Sequence, residues 1–270
     1  MSSSTPPQIH PLASVHPGAQ IGDGTVVGPF AVIDADVVLG TGCRVGPHVH
    51  ITGHTLIGPN NRFHSGAVIG DAPQDFKYSG APTRLRIGEG NVFREHCTVH
   101  RSAKLEEDTV IGDQNFFMAS CHVGHNCQIG SHNIIANGAL LAGHVSLRDR
   151  TFISGNCVVH QFCRIGRLAL MQGGSGISKD LPPFCIARGD NGIAGLNVIG
   201  LRRAGFSPAQ RLELRQLYHT LFRSRERRAD ALEHARRQFH DPVSIELLEV
   251  VASTRRGVCR DTGSRSGGEE

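Results

Sequence analysis

Residues 111–176 read, six at a time, IGDQNF, FMASCH, VGHNCQ, IGSHNI, IANGAL, LAGHVS, LRDRTF, ISGNCV, VHQFCR, IGRLAL and MQGGSG. Every block opens on an apolar residue, and the register carries on to Ile177. Upstream, the same step of six runs from Ile9 through Val15, Ile21, Val27, Ile33, Leu39, Val45, Ile51, Ile57 and Phe63 to Ile69, and again through Ile87, Phe93 and Val99. Of these twenty-six hexads, twenty-two begin with Ile, Val or Leu. Neither the 3.6-residue period of a helix nor the two-residue alternation of a strand produces that pattern over so long a run. The second position is often Gly (Gly22, Gly40, Gly58, Gly112, Gly130), and the fifth is small (Ala31, Cys43, Thr55, Cys97, Cys121, Cys127, Cys157, Cys163). One inward β-branched residue and one small corner residue per hexad predict a solenoid of short parallel strands, three hexads to a triangular coil. About nine such coils, at the roughly 4.8 Å spacing of paired strands, give a prism on the order of 45 Å tall.

The register is broken between Ile69 and Ile87 and between Val99 and Ile111, which predicts loops near 72–86 and 101–110. Insertions in a solenoid are where binding surfaces tend to be built. After Lys179 the repeat stops at Leu181-Pro182-Pro183, and helix signals take over. Ser207-Pro208 with Gln210 reads as an N-cap, a first-turn proline and a capping-box partner, followed by apolar residues at helical spacing. Two more helices are expected around Arg228 to Phe239 and Val243 to Thr254. The expected organisation is a solenoid over 1–189, a small α-helical domain over 190–258 and a disordered Gly/Ser/charge-rich tail over 259–270.

Composition narrows the class. The 270 residues are 39% apolar with 33 glycines and no tryptophan. No apolar stretch is long enough to span a bilayer, and the first thirty residues lack the basic start and apolar run expected of a signal peptide. Eight cysteines without such a signal argue for a reducing compartment, so a cytoplasmic protein without a transmembrane segment is expected. A formal charge of +4 demands no nucleic acid.

The segment Cys121-His122-Val123-Gly124-His125-Asn126-Cys127 invites a metal reading, but both cysteines occupy the small fifth position, so packing outweighs ligation. With eighteen residues per coil, His125, Gly143 and Gln161 form one column, flanked by His144 and His160. An imidazole one strand spacing from a glycine backbone is the layout acyl transfer needs: a base near neutral pH and an N–H for a developing oxyanion. The bland reading is that sixteen histidines on such a scaffold make columns by chance. No Gly-x-Ser-x-Gly elbow or Walker loop offers a rival mechanism.

Five local words are more specific than the repeat: residues 74–80 (QDFKYSG), 122–125 (HVGH), 141–145 (LAGHV), 159–163 (VHQFC) and 179–183 (KDLPP). Together they closely resemble the acyl carrier protein-dependent UDP-N-acetylglucosamine O-acyltransferases that open lipid A synthesis, over about residues 9–206. The resemblance implies an all-β, left-handed parallel β-helix with a helical tail, assembled as a homotrimer with active sites between neighbouring prisms, and no metal or other cofactor. It implies His125 as general base and the Gly143 N–H as oxyanion donor. His122, His144, Gln161, Asp75 and Lys77 would position sugar and acyl groups, with His100 and His160 toward the nucleotide end. Gly173 falls at the acyl-chain ruler, Asn197 in the nucleotide-reading region, and Arg203 at a phosphate contact. Eight arginines against three acids between Leu201 and Asp230 suit an acidic carrier protein, with Arg202, Arg211, Arg215 and Arg223 as candidate contacts.

Three residues depart from the family pattern: Asn126 stands where Asp is usual, Ile199 where Glu is usual, and Ala204 where a second Arg follows Arg203. They motivate one alternative, a diverged or catalytically silent paralogue with altered nucleotide-sugar specificity, including a 3-amino acceptor. A second alternative is a metal-dependent enzyme of the γ-carbonic anhydrase type, with His122, His125 and His144 converging across a subunit interface.

Overall fold

The computed structural model describes residues 5–263. The hexads wind into three parallel sheets in which each strand pairs with the one three strands later in the chain. Cα register shows the lap directly: Val123 pairs with Leu141 and Leu141 with Val159, eighteen residues at a time. First-position side chains from Val27 to Ile177 fill the prism interior, including Phe63, Phe93 and Phe117 stacked face to face with centroids 5.1 and 4.7 Å apart. Only the first lap is open, with Ile9 exposed.

Two details of the repeat differ from the expectation. The corner is not at the small fifth residue, which points inward: Cys43, Cys97, Cys121, Cys127, Cys157 and Cys163 are all buried. The corner is at the third and fourth residues, and the fourth repeatedly adopts positive φ, as in Asn126 (58°), His144 (60°), Asn156 (54°) and Phe162 (65°). A left-handed conformation costs an L-residue roughly 1–2 kcal/mol, and the coil recovers it by closing its backbone ladder above and below. Second-position glycines have a different role. A Cβ on Gly22 would lie 2.6 Å from the carbonyl carbon of Gly40, and one on Gly40 would lie 2.6 Å from that of Gly58, so the stacked laps leave no room for a side chain.

The fifth position also carries a column of buried asparagines. The Asn91 side chain donates to Asn61 Oδ1 (3.0 Å), Asn115 donates to Asn91 Oδ1 (2.9 Å), and the Thr151 hydroxyl donates to Asn133 Oδ1 (2.7 Å). The Asn61, Asn91 and Asn115 amides also donate to the backbone carbonyls of Gly88, Gly112 and Gly130, so these polar atoms in an apolar prism are satisfied.

The first loop covers 72–83 and ends earlier than expected, because Arg84–Ile87 pairs residue for residue with His54–Ile57. The second covers 101–108, and Thr109–Ile111 rejoins the sheet. Four helices follow the solenoid: α1 (Val198–Arg203), α2 (Pro208–Phe222), α3 (Arg228–Gln238) and α4 (Pro242–Ala252). Helix α2 starts with the reciprocal Ser207–Gln210 capping box. The helices bury Leu201, Leu214, Leu217, Phe239, Leu247 and Val251 against Leu168 and Phe184 of the last coils. Arg167 ties the layers together, bonding Glu246 at 2.6 Å while lying over the rings of Phe184 and Phe206.

The boundary at 189 and the tail from 259 also differ. Cys185–Arg188 pairs antiparallel with Gly192–Leu196, so the sheet continues past 189. Arg260–Asp261 then returns to pair with Gly192–Ile193, and Asp261 accepts hydrogen bonds from Tyr218 and Arg223. A sequence reading weighs composition, which the Gly/Ser-rich end dominates, and cannot see a long-range strand partner. The remainder of the expected tail, 264–270, lies outside the described residues.

Candidate active site

His125 occupies the third position of its hexad, at a prism corner, and Gly143 occupies the same position one lap on. A Cβ on Gly143 would stand 2.7 Å from His125 Nε2, so the imidazole lies directly against the glycine backbone. The sheet ladder does not use the third-position N–H: prolines occupy that position at Pro11, Pro17, Pro29, Pro47 and Pro59 without interrupting it. The Gly143 N–H accordingly meets no protein acceptor among the described residues.

The orientation of the imidazole is determined by its neighbour. His125 Nδ1 lies 2.8 Å from Asn126 Oδ1. That oxygen also accepts from the Ala103 N–H at 2.9 Å, while Asn126 Nδ2 donates to Ser102 Oγ (2.6 Å) and Glu107 Oε2 (3.1 Å). With the amide oriented this way, Nδ1 must carry the proton and donate, leaving the lone pair on Nε2, the nitrogen beside Gly143. This is the tautomer a general base needs.

Around this pair other imidazoles are packed. His144 meets His125 edge-on, with centroids 5.1 Å apart at 88°, and stacks on Phe162 at 4.5 Å. Burial, then the nearby His125, lower its pKa against the opposing pull of Glu107. His122 bonds Thr98 Oγ1 at 2.9 Å and leans on His100 at 5.1 Å. Burial, then His100 and His125, push it down to about 4. Buried His100 bonds the Ala72 carbonyl at 2.6 Å and so anchors the start of the first loop. On that loop Asp75 Oδ1 accepts from the Lys77 N–H at 3.0 Å, and Phe76 is fully exposed.

The remaining candidates divide between two faces. His122 and His160 line an open groove of about 490 Å³ with Leu140, Val158 and Asn191. Gln161 is exposed at the end of the glycine column, and His160 lies 3.2 Å from an Arg256 guanidinium nitrogen. Arg203 lies on a different face, in a cavity of about 850 Å³ with Asn197, Ile199, His132 and Arg150. Within one chain, therefore, His125 and Arg203 do not share a pocket. Both ends of the Asn197 side chain are occupied structurally, Oδ1 capping α1 at Gly200 N and Nδ2 bonding the Leu168 carbonyl. Gly173 is open, its nearest neighbour for a Cβ being the Gly155 carbonyl oxygen at 3.6 Å. Arg202, Arg211 and Arg215 converge beside Leu212. Arg223 is separate from them, paired with Asp261 at 3.0 Å and lying over Tyr218.

Sequence reading missed Glu107, whose link to Asn126 depends on how the second loop folds back, and His132 and Arg150, which only stacking brings beside Arg203. The Cys121–Cys127 segment does not gather metal ligands: both cysteines point into the core, and among the described residues of the single chain no three His, Cys, Asp or Glu side chains converge on a cation position. No helix of the described residues is long and apolar enough to cross a membrane.

An imidazole with Nε2 against a glycine N–H that meets no acceptor among the described residues, on a prism of hexapeptide coils, is the arrangement of an acyltransferase of the hexapeptide-repeat class. The family profile for bacterial transferase hexapeptides matches residues 108–143, and the profile described as UDP N-acetylglucosamine O-acyltransferase, domain 2, matches residues 180–259. The chain is 42% identical over 256 residues to the acyl-(acyl-carrier-protein)-UDP-N-acetylglucosamine O-acyltransferase of Thermodesulfovibrio yellowstonii, covering 94% of this chain and 99% of that one. The enzyme of the same name from Halorhodospira halophila is also 42% identical, with the same coverage. Among solved structures, the UDP-N-acetylglucosamine acyltransferase of Francisella novicida superposes with a TM-score of 0.91 at 36% identity, over 97% of both chains. The chain belongs to the UDP-N-acetylglucosamine O-acyltransferase family, and its solenoid is the left-handed parallel β-helix of that family.

Proposed function

We propose that this protein transfers a 3-hydroxyacyl group from acyl carrier protein to the 3-hydroxyl of UDP-N-acetylglucosamine, the opening step of lipid A synthesis, in the cytoplasm and without a cofactor. His125 Nε2 takes the proton from the sugar hydroxyl as its oxygen attacks the thioester carbon. The carbonyl oxygen, becoming negative, receives the Gly143 N–H. Collapse of the adduct breaks the C–S bond, and the imidazolium returns its proton to the departing sulfur. The thioester is already activated, so positioning and one base can supply much of the remaining barrier reduction. The observation that carries this reading is the bare Nε2 against a glycine whose N–H has no acceptor among the described residues.

The separation of the His122 groove from the Arg203 cavity supports a homotrimer, in which a second copy would bring its face against the base. His122, His144, Gln161, Asp75 and Lys77 then surround sugar and acyl groups, with His100 and His160 beyond them. Arg203 faces the nucleotide phosphates, and Gly173 leaves the groove open to a long chain. The test is His125→Ala, assayed by mass spectrometry with UDP-N-acetylglucosamine, its 3-amino analogue and several carrier thioesters. Turnover should fall at least about a hundredfold with the melting temperature unchanged. Unchanged turnover would reject the base.

A further inference from the structure

The neutral Asn126 amide is the last group before the base, and the second loop brings a carboxylate behind it. We propose that Glu107 is a positioning residue for His125, acting through Asn126, an inference that rests on His125 being the base. Asn126 is buried, its backbone N–H donating to Thr109 Oγ1 at 2.7 Å, so the amide can adopt either of two orientations but cannot swing away. Flipped, it would point Nδ2 at the Ala103 N–H and at His125 Nδ1. The imidazole proton would then move to Nε2, and the base would be lost.

Two groups oppose the flip. Ser102 Oγ donates to the Lys104 carbonyl at 2.9 Å, which leaves it an acceptor toward Asn126 Nδ2. Glu107, as an ionised carboxylate, can only accept. One of its oxygens meets Asn126 Nδ2 at 3.1 Å and lies 3.9 Å from His144 Nδ1; the other is held by Lys104 Nζ at 3.3 Å. Glu107 therefore fixes the amide and places a negative charge one residue removed from an imidazole that becomes cationic during reaction. A third group that orients a base and stabilises its protonated form is the logic of catalytic triads.

The charge and the amide should be exchangeable. Glu107→Gln should lower kcat about tenfold with KM for both substrates within twofold. Asn126→Asp alone should also lower kcat, because two carboxylates would then face each other at about hydrogen-bond distance. The double variant Glu107→Gln/Asn126→Asp should recover kcat to within about threefold of the parent, since the introduced amide can donate to the introduced carboxylate. All three are measured beside His125→Ala, with thermal melts to show that each is folded. A Glu107→Gln kcat within twofold of the parent, or a double variant no faster than the slower single, would overturn the role of Glu107. If His125→Ala keeps its turnover, the base itself is wrong.

Discussion

His125 and Gly143, eighteen residues apart in the chain, are in such close contact that a single methyl group on the glycine would fall 2.7 Å from Nε2. Gly143 is not at a positive-φ position, so an alanine there meets no backbone strain, only the imidazole. Gly143→Ala should therefore lower turnover about a hundredfold, the scale of a lost oxyanion donor, by tilting the ring or covering the N–H. Its melting temperature should stay within a few degrees of the parent. Gly155→Ala, whose Cβ would meet only the Asn137 carbonyl oxygen at 3.4 Å, serves as the control. Equal activity in the two variants would mean that the contact is unimportant to catalysis.

The low pKa of His122 predicts a pH dependence of stability. Its imidazole is pushed from 6.5 to about 4 by burial and by His100 and His125. Between those values the unfolded chain binds the proton and the folded one resists it, so stability falls as pH drops through that window. His144, also lowered, acts in the same direction. Below it a second loss begins: although burial opposes them, Arg86 and Arg84 hold Asp108 low, and that stabilisation disappears as the carboxylate protonates. The melting temperature should drop by a few degrees from pH 6.5 to about 4, and His122→Asn should flatten that segment. A variant with the parent's slope would place the titration elsewhere.

The arginines of the helical domain separate by what already binds them. Arg211 and Arg215 lie one turn apart on α2, beside Arg202, and face open solvent around Leu212. Arg223 is taken up by Asp261 and Tyr218. Arg211→Glu/Arg215→Glu should raise KM for a carrier-bound thioester about tenfold at low salt. The difference should shrink at high salt, and turnover of a small thioester should be unaffected, as expected for a steering surface. Arg223→Ala should instead lower the melting temperature. An equal KM effect from both changes would contradict this division.

The solenoid was legible because its signal repeats: each hexad independently reports an inward residue, and one lap fixes every other register. The column of His125 over Gly143 follows from that arithmetic alone. What was not legible depends on contacts without a period. Asn126, Ser102 and Glu107 meet because the second loop folds back on the corner that precedes Cys127. The strand at Arg260–Asp261 forms only because Gly192–Ile193 offers an edge. The corner was misplaced by one or two positions because non-glycine residues such as His144 and Asn126 adopt the left-handed conformation that composition assigns to glycine.

The asparagine column makes a last prediction, about stability alone. Asn91 is a link with partners on both sides, donating to Asn61 Oδ1 and the Gly112 carbonyl and accepting from Asn115. Asn91→Ala strands several buried polar groups at once and should cost about 3 kcal/mol, at roughly 1–3 kcal/mol for each unsatisfied group after partial relaxation. Asn133 differs: its Nδ2 has no partner among the described residues, and its oxygen is the only side-chain atom bonded. Asn133→Thr keeps an acceptor and removes the stranded donor, as Thr151 does one lap later, and should cost less than about 1 kcal/mol. Both variants should retain the parent's turnover, since neither side chain reaches the prism surface. If chemical denaturation showed the two losses to be equal, the column would be stabilised by packing volume rather than by its chain of amide hydrogen bonds.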